Sequence, residues 1–494
     1  LPGPFRPWRF SIPNPGKFEF DAGRRPAQRG GSDLEEKPTL IKRLKNISPV
    51  RLIVSSFLLI IVIGTLLLTL PISARERQAT HVLDAFFTAT SSTCVTGLAL
   101  FDTWTHWSYF GQGVILILIQ LGGLGLVTFA TGFTLFMRRK LGLRDMQIAK
   151  EYTSGSMMDT PRLMRTIIIW TFSCEAVGAL LLAIRFIPNF GVRGVWISVF
   201  LAVSAYCNAG FDILGFLKPN SSLTLFVNDP LVCLTIAMLI IVGGIGFIVI
   251  NDIHSWGLRK FRKEENHPHL ALHTWIVLKT TAILLLAGAV LFLLFEYNNS
   301  LAGMNFFQKL HASFFQSVTS RTAGFASIDV GAQLDITKML TIILMFIGAS
   351  PSSTGGGIKT TTFVVLMSTV LSVLRGKNET VIKKRRVDRT VVYRSLAIVV
   401  LALLVVTTTT VAVAIAETPN HVTALDALFE SVSAFGTVGL TAGITQGLTA
   451  VSKIVLIITM FIGRVGPISL VLALTMHHTT RLETILPEGK IIVG

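Results

Sequence analysis

Charge and catalytic side chains are what this sequence has least of. Only 14% of its 494 residues are charged, against 51% that are hydrophobic. That balance excludes an ordinary soluble domain. Cysteines number four, Cys94, Cys174, Cys207 and Cys233. All fall in apolar stretches without a zinc or thioredoxin spacing, so they read as small buried residues. No HExxH, GxSxG or paired-acid motif occurs, which leaves a membrane enzyme without machinery. The chain is read as a non-enzyme with no covalent cofactor. His267, His269 and His273 lie close together but lack a matching Cys or acid pattern, so a solvated loop is expected there rather than a metal site. Residues 1–45 have no apolar run and carry Pro2, Pro4, Pro7, Pro13, Pro15 and Pro26. They are expected to form a disordered cytoplasmic tail, neither signal peptide nor packed domain.

What the chain does have is long apolar segments, such as Leu52 to Leu70, nineteen residues without a charge. That length spans a bilayer. The net charge of +17 could suggest nucleic acid, but its distribution points elsewhere. Lys and Arg gather at 42–51, 138–165, 259–263 and 375–394, while the alternate connections hold scattered ones such as Arg75, Arg77, Arg193 and Lys218. This is the positive-inside asymmetry of a multi-pass protein of the plasma (inner) membrane, both termini cytoplasmic. Lipid head groups, not nucleic acid, are the expected partners of the charge.

One stretch is written four times. Phe87 to Leu98 reads FTATSSTCVTGL, Phe200 to Phe211 FLAVSAYCNAGF, Phe314 to Phe325 FFQSVTSRTAGF and Phe429 to Leu440 FESVSAFGTVGL. A Phe stands ten residues before each glycine, and the glycines are 113, 114 and 115 residues apart. Helix packing alone requires neither feature; a structural period does. Each copy is too short to span a bilayer, and irregular backbone at that depth needs protein or a watery path around it. Four re-entrant loops on one axis would form a ring of backbone carbonyls able to replace an ion's water. The preceding residues vary (Val95-Thr96, Asn208-Ala209, Thr322-Ala323, Thr437-Val438), which points to backbone rather than side-chain coordination.

The expected fold is all-α and polytopic, four tandem outer helix–pore loop–inner helix units in pseudo-fourfold arrangement around one ion pathway. The expected boundaries are 46–140, 141–262, 263–380 and 381–494. The inner helix of unit three is broken by Ala349-Ser350-Pro351-Ser352-Ser353-Thr354-Gly355-Gly356-Gly357-Ile358-Lys359, because proline removes a donor and three glycines strip out helix propensity. Glycine clusters at 122–125, 243–246 and 463–466 in the other inner helices read as packing positions. Asp84 and Asp426 sit in the first turns of pore helices, where a carboxylate suits the positive end. Glu175, Arg321 and Arg464 are intramembrane charges that need partners. Glu175 reads as structurally paired, and Arg321 as a buttress behind the filter.

These motifs resemble the Trk/Ktr/HKT superfamily of potassium transporters, most nearly its KtrB-type subunits, over about residues 45 to 494. The resemblance implies a filter glycine in each unit, Gly97, Gly210, Gly324 and Gly439. Potassium would be held at the backbone of Val95, Thr96, Gly97, Asn208, Ala209, Gly210, Thr322, Ala323, Gly324, Thr437, Val438 and Gly439. It implies that 349–359 is an intramembrane gating loop with Arg464 against it, and that the ending 486–494 serves subunit contacts. The lack of two extra amino-terminal spans favours the Ktr branch over the Trk branch. Implied partners are a second copy, as a homodimer of pores, and a cytoplasmic ring of RCK-type nucleotide-binding regulators. Sodium stays open as an activating or coupled ion. The competing reading is a sodium-selective or sodium-coupled transporter of the same fold, against which stands glycine in all four filter positions.

Overall fold

The computed structural model describes residues 49–136, 160–261 and 270–475. The proline-rich tail, His267, His269, most of the 138–165 basic segment and the ending 486–494 lie outside the described residues. Unit one comprises α1 (Pro49–Thr69), α2 (Val82–Thr93), a single turn α3 (Thr103–His106) and α4 (Tyr109–Phe136). Unit two comprises α5 (Thr160–Phe190), α6 (Val192–Cys207), α7 (Pro230–Ile245) and α8 (Phe247–Phe261). Unit three has α9 (Leu272–Glu296), α10 (Phe306–Thr319), α11 (Asp335–Phe346) and α12 (Thr360–Leu374). A hairpin of β1 (Val381–Ile382) and β2 (Arg385–Arg386) precedes unit four, which has α13 (Arg389–Ala416), α14 (Ala424–Gly436), α15 (Ala450–Val465) and α16 (Pro467–Thr475).

Local chemistry starts these helices. Asp229 accepts from the Leu231 and Val232 amides ahead of Pro230, Thr423 from Asp426, and Thr449 from Ser452. Asn305 and Gln308 form a reciprocal capping box on α10. Each satisfies amide donors that a helix start leaves free. At the far end of α13, Glu417 accepts from the Thr449 amide and hydroxyl, both at 2.8 Å, and from Asn420. Burial opposes its charge, but the hydrogen bonds from Ser452, Thr449 and Asn420 outweigh it and hold the carboxyl below its ordinary value. That anchor ties the end of the outer helix of unit four to the start of its inner helix.

Outer helices α5, α9 and α13 are long and apolar enough to cross a membrane, and α7 with α8 forms a fourth such span bent by 96°. Leu180, Ile184, Leu286, Leu294, Leu404 and Ile415 on the outer helices are exposed. A continuous apolar exterior suits hydrocarbon rather than water. Inside it, Phe87, Phe200 and Phe429 are fully buried on the pore helices, while Phe314 is half-buried.

The packing order repeats. Each outer helix packs on the pore helix of its own unit: α1 on α2, α5 on α6, α9 on α10 and α13 on α14. Each inner helix packs on the pore helix of the next: α4 on α6, α7 on α10, α11 on α14, and α15 back on α2. The order closes on itself, because the fourth unit meets the first.

The reading of the other glycine clusters as packing positions alone is extended by the structure. Gly125 (φ 58°) kinks α4, Gly246 (φ 99°) separates α7 from α8, and Gly466 (φ 89°) separates α15 from α16. All four inner helices are broken at matching places. The glycine clusters read as packing positions serve two ends. Gly122, Gly243 and Gly463 lie against the carbonyls of Thr93, Tyr206 and Phe435, where a Cβ would overlap. The last glycine of each cluster supplies the left-handed residue that ends the helix.

Candidate functional site

The four pore loops meet where the packing order closes. A Cβ added at Gly97 would overlap the Ala209 carbonyl oxygen, at Gly324 that of Val438, and at Gly439 that of Thr96. At Gly210 it would lie 2.7 Å from the Ala323 oxygen. Each glycine thus faces the carbonyl preceding the glycine of the next unit, in cyclic order. All four have positive φ, at 94°, 71°, 82° and 90°, as does the residue two before each: Val95, Asn208, Thr322 and Thr437. Glycine is required twice over, by conformation and by the approach of neighbouring backbone. Alternating the sign of φ turns successive peptide planes the same way, unlike the alternation of a strand.

The pore helices hold this backbone from behind. Thr96, Ala209 and Val438 donate their amides to the carbonyls of Ser91, Ser204 and Ser433. Ser91 and Ser433 accept from the Gly97 and Gly439 amides, each at 3.1 Å. The Ser204 and Thr319 hydroxyls donate to the Phe211 and Phe325 carbonyls, each at 2.7 Å. Side chains of Val95, Thr96, Asn208, Ala209, Thr322, Ala323, Thr437 and Val438 are all fully buried.

Directly against this ring lies the 349–359 segment. A parallel bridge between Ile347 and Ile358 closes its base. Ser350 and Thr354 donate their amides to the Gly244 and Gly243 carbonyls, and the Phe247 amide donates to Ser352. Gly356 donates its amide to Thr437 Oγ1 at 3.0 Å, and Thr354 Oγ1 donates to the Tyr206 carbonyl at 3.2 Å. A Cβ on Gly355 or Gly356 would overlap Thr322 or Thr437, so the two glycines let the segment abut the foot of the ring. Lys359 folds back to the Gly355 carbonyl at 2.7 Å, and Ser353 to Ser350 at 2.6 Å. Pro351 and Gly357 complete the turn. The backbone bonds named here reach unit two, unit four or the segment itself, which offsets the burial of those groups.

Two arginines clasp the segment. Arg464 is buried and donates Nη1 to the Thr354 carbonyl and Nη2 to the Gly122 carbonyl. Arg321, beside Thr322, donates Nη2 to the Gly348 carbonyl at 3.4 Å. Its partner was not legible in the sequence, since Gly348 lies 27 residues on. Glu175 is paired as expected, with Gln120 Nε2 at 3.3 Å and Cys207 Sγ at 3.8 Å. All four cysteines are free thiols. Among the described residues no three His, Cys, Asp or Glu side chains gather as a metal site.

Sequence reasoning missed the ties between units. Lys453 bonds Asp84 at 2.7 Å, closing the seam from unit four to unit one. Lys338 bonds Asp426 at 3.0 Å from unit three to unit four, and Trp196 donates to Gln112 at 2.9 Å from unit two to unit one. The signal was present: Gln112, Lys338 and Lys453 each stand fourth in an inner helix. Read alone, the two aspartates account only for their own helix dipoles.

Comparison with known proteins agrees with this architecture. The TrkH family of cation transport proteins matches residues 43–484. Ktr system potassium uptake protein B of Bacillus subtilis is 38% identical over 466 residues, covering 93% of this chain and 99% of that protein. The potassium/sodium uptake protein NtpJ of Enterococcus hirae is 37% identical, covering 91% and 98%. The crystal structure of the potassium transporter TrkH from Vibrio parahaemolyticus superposes with a TM-score of 0.64 at 16% identity, covering 88% of this chain and 86% of that one.

Proposed function

The chain belongs to the TrkH family of cation transport proteins, and from that premise we propose that it takes up potassium across the plasma membrane, both termini cytoplasmic. It is a transporter and not an enzyme. Potassium is its cargo, bound where the carbonyls of residues 95–97, 208–210, 322–324 and 437–439 face a common axis. The observation that carries this reading is the cyclic approach of each filter glycine to the next unit's carbonyl. Carbonyl dipoles in such a ring replace hydration water without a carboxylate that would hold the ion too tightly.

Segment 349–359 is the gate in this reading, with Arg464 as its latch. The segment lies against the filter threonines, and its bonds to Gly243, Gly244 and Arg464 come from neighbouring units that could release it together. A buried guanidinium beneath the filter also repels cations while the gate is shut. The relatives named for a Ktr system support a system of more than one component; within it, a homodimer regulated by a separate nucleotide-binding ring of RCK type is the arrangement proposed. The basic cytoplasmic segments suit that contact and anionic lipid head groups. A second reading, potassium together with sodium as coupled or activating ion, is favoured by the name of the Enterococcus hirae relative. Ion flux from purified protein in liposomes, varying potassium and sodium independently, separates the two. Flux of sodium alone, at a rate indifferent to potassium, sinks the potassium reading.

A further inference from the structure

Glu430 stands where a carboxylate is least expected. It lies in the pore helix α14, immediately after Phe429, and is fully buried. The matching positions of the other pore helices hold Thr88, Leu201 and Phe315. Three units thus build a pore helix without a charge there, and an ionisable group inside a membrane is expensive. Its contacts show what it holds. Glu430 Oε1 accepts from the hydroxyl of Thr441, and from that of Thr445 at 2.9 Å. Thr441 stands two residues beyond Gly439, where the other units have Ala99, Asp212 and Ala326. Of these only Asp212 is polar, and it accepts from the Leu214 amide of its own loop at 3.0 Å. One turn further along α14, Ser433 accepts the Val438 amide on its carbonyl and the Gly439 amide on its hydroxyl. Glu430 continues that ladder outward along the same chain.

Unit four depends on this hold more than the others do. Beyond their glycines, the first three units are tied to one another across the seams. The Asn220 amide donates to Asp102 at 2.9 Å, the Leu223 amide to the Ala326 carbonyl at 3.0 Å, and the Ala326 amide to Ser222 at 3.2 Å. The hydrogen bonds of 440–447 among the described residues stay within unit four, with Glu430, Asn420 or the stretch itself. We propose that Glu430 is a specificity-determining positioning residue. Its carboxylate pins Thr441 and Thr445, and so keeps the Thr437 and Val438 carbonyls of unit four in register with the ring. One carboxylate oxygen has lone pairs for both hydroxyls, and a bond to a charged acceptor is roughly twice as strong as a neutral one. Without Glu430, the two threonine hydroxyls keep only each other and the Gly443 amide. Those bonds move with the stretch and anchor it to nothing.

This inference rests on reading the ring as a potassium filter, and the test separates the two. Competing potassium and sodium fluxes are measured in liposomes, with the thermal midpoint of each protein alongside. The set is the wild type, Glu430→Leu, Glu430→Gln, Thr441→Val, Thr441→Ser, the Glu430→Leu/Thr441→Val double variant and serine at each ring glycine. Losing a hydrogen bond to a charged group shifts a two-state equilibrium roughly tenfold, so Glu430→Leu should lower the preference for potassium on that order. Thr441→Val keeps the Thr445 bond and should lower it about threefold. Thr441→Ser restores the hydroxyl and Glu430→Gln an acceptor oxygen, so both should recover the preference to within about twofold of the wild type. The double variant should match Glu430→Leu alone, because the two side chains act as one tether. Where Glu430→Leu does not fold, Thr441→Val against Thr441→Ser carries the comparison. Wild-type preference in Thr441→Val, an additive loss in the double variant, or a loss in Glu430→Gln as large as in Glu430→Leu overturns the tether. So does a preference that falls only where the thermal midpoint falls with it, which marks a merely structural bond. Wild-type preference in all four serine variants instead overturns the filter reading itself.

Discussion

At the scale of single residues, function and stability are carried by different side chains. In the proposed reading the four glycines of the ring serve function: Gly97 combines φ 94° with a neighbouring carbonyl where a Cβ would sit. A left-handed conformation costs a non-glycine residue roughly 1–2 kcal/mol before any clash. Gly97→Ser should therefore lower the preference for potassium over sodium, as should serine at Gly210, Gly324 or Gly439. Competition flux measures it, and unchanged selectivity in all four single variants would falsify the carbonyl filter. The seam ion pairs serve stability. Lys453 and Asp84 are more than four-fifths buried and join the first and last units. Removing one partner strands the other, which costs about 2–4 kcal/mol at such burial. Lys453→Met should lower the thermal midpoint of the solubilised protein, and Asp84→Asn in the same chain should recover part of the loss. An additive loss in the double variant would show that the two do not act as a pair.

Among elements, the interrupted inner helices set what can move. Four breaks at equivalent depth put left-handed or irregular backbone beneath the ring, and only the third is expanded into a polar loop. Its hold is a count of hydrogen bonds, to Gly243, Gly244, Phe247, Thr437, Tyr206 and Arg464. Deleting Ser352–Gly356 removes most of these together with the bulk below Thr322 and Thr437. Potassium flux should rise and lose its dependence on the regulator, and Arg464→Ala should move both readouts the same way by a smaller amount. Flux with and without the regulatory ring is the deciding comparison. Variants that reach the membrane with wild-type flux and regulation would place the gate elsewhere.

For the whole molecule, closure within one chain means that dimerisation is not needed to build a pathway. The fourth unit packs on the first and is tied to it by Lys453–Asp84. A second copy would instead couple two complete pathways to one regulator. Nothing in the sequence reads as a nucleotide-binding loop, since the 122–125 glycines sit within a membrane helix against Thr93 and Cys207. The purified chain should therefore bind ATP no better than empty liposomes, and binding should appear when the regulatory ring is added. Calorimetry on both preparations checks it; tight ATP binding by the chain alone refutes the division of labour.

The sequence by itself determined the four-unit plan, the pore helices and the positions of the four glycines that each meet the next unit's carbonyl. Those features follow from local causes: apolar length, the spacing of Phe and Gly, and the need for left-handed backbone at the end of each pore helix. It also marked residues 349–359, because proline and three glycines break a helix wherever it packs. What only the tertiary structure decided lies between segments more than a hundred residues apart. The approach of Gly439 to Thr96 and the grip of Arg464 on both Gly122 and Thr354 have no local signature, and the recurring place of Lys453 in its helix does not by itself name Asp84 as its partner. The breaks at Gly125, Gly246 and Gly466 were written in the sequence but ambiguous there. A small residue that admits a neighbouring carbonyl and one that ends a helix are the same glycine until the neighbour is known.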